Sequence, residues 1–319
     1  MTTLRAVWST WPGRLALIVL ACIGILAIAG PVLAPDDPNY QHLDSILAGP
    51  SLSHPLGTDY VGRDVLSRMM AGSTISVLTA VEALGIALVL GVLPGLASVH
   101  LGRTFEWVTL RLADSLIALP FLIFAIAVAA LLGNGIHQAM VAVGILIAPG
   151  FYRITRAAAL AFSNSPFVTA AELMGATPAW IIRRHVWKKV LPVIAVTGAN
   201  AMSAALLIVA SLAFLGIGVV PPNPSWGGIL ASDLAYLHQR PFGPVIPSLV
   251  VMVTVGSLNW IADAVRDAGG DIGRARLAAT SELDDSPEAT GDSPQRLHDD
   301  PLMHDPVDID LLDPRRIHV

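Results

Sequence analysis

Cysteine, lysine and charge of either sign are scarce in this chain, and each shortage excludes something. The single cysteine, Cys22, stands inside an apolar run, so no intrachain disulfide can form and thiol redox chemistry lacks a second sulfur. Lysine occurs only at 188 and 189, and no Gly-x-x-x-x-Gly-Lys-Ser/Thr pattern is present, so the chain cannot build a phosphate-binding loop of that type. Charged residues make up 13% of 319 positions against 54% hydrophobic, where soluble domains carry roughly one quarter charged. A lipid bilayer is therefore the first partner to expect, and nucleic acid is not one.

What the chain has in abundance is long apolar runs. A helix needs about twenty apolar residues to cross about 30 Å of hydrocarbon, and only a helix satisfies its own backbone there. Leu15 to Ala34 is such a run without a charge; it is long for a secretory signal, and more runs follow it. Ile75 to Val99, which carries Glu82, is the second span, and Ser115 to Leu132 the third. Gln138 to Tyr152, continuing toward Phe162, is the fourth, Val190 to Val219 the fifth and Gly243 to Ala262 the sixth. The fold class expected is an all-α integral membrane protein with six transmembrane helices.

Basic residues orient it. With the N-terminus inside, thirteen arginines and lysines fall on the cytoplasmic side, among them Arg103, Arg111, Arg153, Arg156 and Arg266, against Arg63, Arg68 and Arg240 outside. Both termini are then cytoplasmic, with residues 1–14 a short N-terminus, 15–268 the transmembrane domain and 269–319 a tail. From Asp271 onward 12 acids face 5 arginines, a net −7 that leaves the rest of the chain at +2. Rich in Asp and Pro and poor in aromatics, the tail cannot bury enough apolar area to offset its ordering entropy, so it is expected to be largely disordered. The alternative is a short segment around Leu302, Met303, Ile309, Leu311 and Leu312 that orders on a partner.

Between the fourth and fifth spans, residues 163–189 are too polar to cross a membrane. Ser165 before Pro166 is a helix start, and Gly175 is where a left-handed residue would end that helix. Thr177 and Pro178 repeat the start at once. Two short helices are expected, the second carrying Trp180, Arg184 and Trp187 at i, i+4 and i+7 on one face. Such a face suits docking into a groove on another protein; the alternative is an interfacial helix with Trp and Arg among the headgroups.

The stretch "TAAELMGATPAWIIRRHVWKKVLP" at 169–192 resembles the coupling loop of permease subunits of ATP-binding-cassette importers. Three further stretches, "HPLGTDYVGRDVLSRMMAGSTISV" at 54–77, "ASLAFLGIGVVPPNPSWGGIL" at 210–230 and "NWIADAVRDA" at 259–268, resemble the C-type permease of the dipeptide, oligopeptide and nickel importers. The resemblance covers roughly residues 10–270. It implies a type I importer permease fold in a bacterial plasma membrane, with no catalytic residue or cofactor on this chain. Its implied partners are a second permease, two cytoplasmic ATPases that carry ATP and Mg, and an extracytoplasmic binding protein. The residues it implies for ATPase coupling are Thr169, Ala170, Ala171, Gly175, Trp180, Arg183, Arg184, His185 and Trp187. Thr169 stands where many members have Glu, and Trp187 and Lys188 where many have Leu-Pro.

Other groups lie outside the loop. His54, Asp59, Arg63 and Asp64, with turns at Gly57 and Gly62, read as a hydrogen-bonded cap over a pathway or a surface for a binding protein. As metal ligands they lack a second His. Pro221 and Pro222 stiffen a second outer loop, an external gate or docking element, in which Trp226 packs on the loop or rests in headgroups. Arg111 and Asp114 read as a local helix-end pair. Glu82, within two turns of the expected helix start, reads as snorkelling or paired locally; a proton- or sodium-coupled carrier that depends on Glu82 is the alternative of a different class, and nickel the alternative substrate to peptides.

Overall fold

The computed structural model describes residue 8 and residues 10–99, 101–163 and 165–284. The bundle lies within Met1–Gly270, a compact unit separate from Asp271–Val319. Among the described residues the elements are helical, and the one extended pairing is an isolated bridge between Thr58 and Asp64.

Helix α1, Trp11–Leu33, starts where the Thr10 side chain accepts from the Gly13 N–H. Helix α2, Val65–Ala97, is the long axis of the bundle. It begins ten residues before the expected Ile75, because Asp64 caps it by accepting from the Ser67 N–H at 2.8 Å and the polar turn that follows is sheltered by neighbouring loops. Glu82 consequently sits mid-helix and not near a helix start. Small residues set the packing. A Cβ on Gly30 would meet the Met70 carbonyl of α2 at 2.1 Å. One on Gly91 would meet the Ala148 carbonyl at 2.5 Å, where α2 lies along helix α5, Ile136–Ser163. Close backbone approach of this kind substitutes for the hydrophobic drive that lipid removes.

The third expected span is broken. Helix α3, Arg103–Ala118, and helix α4, Phe121–Leu132, meet at a 99° bend. Pro120 is the reason: it disfavours helical backbone at Leu119 and cannot continue the ladder. Among the described residues five helices are long and apolar enough to cross a membrane, and the bent pair makes a sixth if counted as one.

Helix α6, Pro166–Leu173, and α7, Pro178–Ile181, follow α5; a π-helical turn at Ile182–Val186 then leads into α8, Trp187–Phe214. The expected fifth span to Val219 stops earlier, at a turn in which Gly216 and Gly218 take φ of +74° and +84°. A short helix, α9, Trp226–Ala235, then packs back against α8, and α10, Val245–Asp284, follows, its Ile246, Val250, Val255 and Leu258 packed against the core. Because α10 runs to Asp284, no helix end marks the expected boundary at 268; residues 285–319, with the segment around Leu302 to Leu312, lie outside the described residues, as do residues 1–7.

Candidate functional site

Two polar regions stand at the two ends of the bundle. At one end the stretch from Pro166 to Trp187 makes a stiff elbow. The Val168 N–H donates to the Ser165 carbonyl at 2.9 Å, but the Ser165 hydroxyl turns back onto the Phe162 carbonyl and does not cap the helix. Gly175 takes φ +83° and ends the turn as a left-handed residue should. The second short helix is not a separate rod. It runs through the π turn into α8, so α7 and that long apolar helix form one continuous element.

The elbow is two-sided. Val168, Ala171, Ile181, Val186 and Val190 are buried and pack with Phe151 and Ala159 of α5. The opposite side carries Leu173 and Met174, 85% and 83% exposed, together with exposed Ala170, Trp180, Arg184 and Trp187. Ala171, expected on the coupling surface, is thus turned inward by the helical period and anchors the elbow. The wider π turn separates Trp180 from Trp187, so an i, i+7 stripe does not apply across them, although both remain exposed. The side chains of Thr169, Arg183 and His185 lie outside the described residues. Leu173 and Met174 were missed in the sequence, although their place just before Gly175, at the tip of the turn, is a usable signal.

At the other end residues 35–64 and 219–244 cover the start of α2 with a buried polar cap. Asp59 accepts from the Arg63 N–H at 2.9 Å and from Arg63 Nε at 2.7 Å, and Arg68 Nε lies 3.5 Å from the same carboxylate. Arg68 also donates to the carbonyls of Pro38 and Pro222, tying both loops to α2. Arg240 donates to the carbonyls of Thr58 and Leu56 at 2.8 and 2.9 Å and stands 3.6 Å from Asp233. All three arginines expected outside are therefore consumed in one network. His54 Nδ1 lies 3.1 Å from Asp64 Oδ1, and His42, unremarked in the sequence, adds a contact to Asp36 at 2.5 Å while its ring sits 4.9 Å from that of His54. Gly57 and Gly62 both take positive φ, and at Gly62 a Cβ would meet the His42 carbonyl at 2.2 Å.

The cap's electrostatics follow from its burial. The His42 hydrogen bond holds the Asp36 carboxyl below its ordinary value. Burial pushes Asp233 upward, with Arg240 opposing, and its Oδ2 has no hydrogen-bond partner. The structure joins His54, Asp59, Arg63 and Asp64 as expected and brings Pro222 to them through Arg68. Trp226 is different. At the start of α9 it is 2% exposed, its indole turned onto α2, and so it does not reach headgroups.

Pairs within the bundle also differ from local expectation. Asp114 binds Arg153 of α5, not Arg111, and Glu106 binds Arg156, so the polar side of α3 docks on α5. Arg111 lies over the Trp107 ring. Glu82 meets His137, which sequence spacing cannot foretell across 55 residues. An apolar cavity of about 790 Å³ opens between α4, α8, α9 and α10, lined by Leu207, Phe214, Trp226, Met252 and Val255.

An apolar helical bundle with a rigid elbow at one end and a sealed polar cap at the other has the build of a multi-pass membrane transport subunit. Residues 87–268 match the family described as "Binding-protein-dependent transport system inner membrane component", and the chain belongs to that family as a multi-pass permease subunit of the inner membrane. It is 34% identical to the Di/tripeptide transport system permease protein DppC of Pseudomonas aeruginosa (strain UCBPP-PA14), over 79% of this chain and 85% of that one. It is 35% identical to the Glutathione transport system permease protein GsiD of Escherichia coli O157:H7, over 79% and 84%. A chain of the inward-facing MetNI methionine ABC transporter shares the fold, with a TM-score of 0.53 at 18% identity over 63% of this chain and 95% of that one.

Proposed function

We propose that this permease subunit passes short peptides, di- or tripeptides first, in an ATP-driven importer. Its partners in this reading are a second permease subunit that completes the pathway, two separate cytoplasmic ATPases that bind ATP and Mg, and an extracytoplasmic binding protein received near the cap. Both termini and the elbow are cytoplasmic in this reading, which the distribution of basic residues supports. Peptides are favoured over nickel because two relatives are named for di/tripeptide and glutathione transport.

The observation that carries the coupling role is the two-sided elbow. Its inner side is packed into the span core, its outer side presents Leu173, Met174 and Trp180, and the polypeptide continues without a break into α8. Such an element transmits rigid-body motion and needs no catalytic group of its own. The test is uptake of a labelled dipeptide by cells carrying the complete system with residues 169–189 deleted in this chain. Loss of uptake with the chain still in the membrane supports coupling; undiminished uptake would remove it. A carrier that needs no ATPase would instead keep pumping when reconstituted alone, and would stop on Glu82→Gln.

A further inference from the structure

We propose that Glu82 and His137 form an anionic contact on the wall of the solute pathway, which takes the α-ammonium group of a passing peptide; this deepens the peptide-permease reading and rests on it. Glu82 stands about 25 Å along α2, a helix about 50 Å long. Asp263 and Asp267, by contrast, lie in the last turns of their candidate span, Val245–Asp267. The His137 ring contacts both oxygens of the Glu82 carboxylate, at 2.9 and 3.1 Å, through Nδ1. The contact thus presents carboxylate oxygens, backed by an imidazole, on an otherwise apolar stretch of helix.

The pair is not sealed. His137 has 79% of its side chain exposed and Glu82 33%, and the second ring nitrogen of His137 has no partner among the described residues. A charge and an unmet ring nitrogen are both costly against hydrocarbon, so this face of α2 must see water or a polar solute. The face is continuous. Leu78, Val81 and Val89 are exposed along it at helical spacing, and Gly85, one turn below Glu82, has nothing within 4 Å of the place its Cβ would occupy. A missing side chain beside a carboxylate leaves width for a peptide backbone to pass.

The ligand chemistry follows from the sign. A free peptide carries an ammonium at one end and a carboxylate at the other; a lone anionic pair on an otherwise apolar wall attracts the first and repels the second. The contact is weak enough to release, because it lies in water and offers one charge without a second anchoring cation nearby.

The test uses the complete importer with Cys22→Ser, which removes the only native thiol of this chain, and labelling is read on this chain after its separation from the other subunits. In that background His137→Cys reports from inside the site, and Val81→Cys reports from one turn away with both members of the pair intact. Each is treated with two water-soluble methanethiosulfonate reagents, one bearing a trimethylammonium and one a sulfonate. We expect both to react, with the cationic reagent favoured by about threefold to tenfold over its ratio on free cysteine, and the preference to collapse when Glu82→Gln is added. Reaction with a lipid-permeant maleimide alone, no reaction at all, or a charge ratio indifferent to Glu82→Gln would each overturn the proposal. ATP-dependent dipeptide uptake by the Cys22→Ser parent keeps the outcomes apart: its absence counts against the peptide-permease reading, whereas normal uptake with an inert or charge-blind site counts against this contact alone.

Discussion

The indole N–H of Trp226 donates to the backbone carbonyl of Met69 across 3.2 Å, and its own backbone N–H donates to Ser76 Oγ at 3.0 Å, so one residue pins the first turn of α9 to α2. Trp226→Phe keeps most of the buried volume and loses the indole bond, which should cost about 1 kcal/mol. Trp226→Ala adds a cavity and should cost about 3–5 kcal/mol. Thermal unfolding of the purified chain in mild detergent ranks the two, and equal shifts would mean that Trp226 merely fills space.

Gly227, the next residue, tests the close approach of α9 to α8. A Cβ there would stand 2.1 Å from the Ala210 carbonyl, a backbone atom that cannot step aside. Gly227→Ala should therefore separate the helices and lower the melting temperature. Gly256 in α10 has nothing within 4 Å of its Cβ position, so Gly256→Ala should be neutral or stabilising by up to about 1 kcal/mol from helix propensity alone. The same unfolding experiment reads both.

Much of the fold was legible in these residues because lipid imposes a simple rule: apolar runs near twenty residues mark the spans, and Pro and Gly mark the elbow turns. The bend at Pro120 was not read, because the apolar residues on both sides of the proline make one run from Ser115 to Leu132. Burial of Trp226 was not, since "PPNPSWGG" shows no sign that Gly227 lets α9 close on α8 while the indole turns onto α2. Nor were the pairs Glu82–His137, Asp114–Arg153 and Glu106–Arg156. Their partners come from different helices, and sequence spacing speaks only for neighbours on one helix. The cap was half legible: its residues cluster in one stretch, but Arg240 and Asp233 arrive from nearly two hundred residues away.

The cap gives two pH effects of opposite sign. Asp36 binds its proton more weakly in the folded cap than in the unfolded chain, so its contribution is complete above the ordinary value of 3.8 and is lost as the pH falls through the lowered value. The effect is small because the carboxylate is only half-buried and water screens it. Asp233 is the reverse: its value is raised by burial, so its contribution is complete below 3.8 and is lost as the pH rises through the raised value. Asp36→Asn should flatten the loss of stability on the acid side, and Asp233→Asn should flatten the decline above pH 4. Melting temperature followed from pH 3 to pH 7 checks both signs at once.

The elbow separates docking from folding, because its two sides carry apolar residues of equal hydrophobicity but opposite burial. Leu173 and Met174 touch little of their own chain, whereas Val168 is 1% exposed in the span core. Leu173→Glu with Met174→Glu should leave the stability of the isolated chain within about 0.5 kcal/mol of the parent, as exposed substitutions do. The same change should remove apolar anchors from the docked face and weaken retention of the ATPase subunits by about 30-fold or more, the equivalent of about 2 kcal/mol for a buried anchor. Val168→Glu should do the opposite, unfolding the elbow because a charge would be buried against Phe151 and Ala159 without a partner. Co-purification of the ATPases, read beside thermal unfolding of the isolated chain, distinguishes the cases. Were the double Glu variant to destabilise the chain itself, or to keep its ATPases and transport at the parent rate, the outward apolar face would not be the coupling surface.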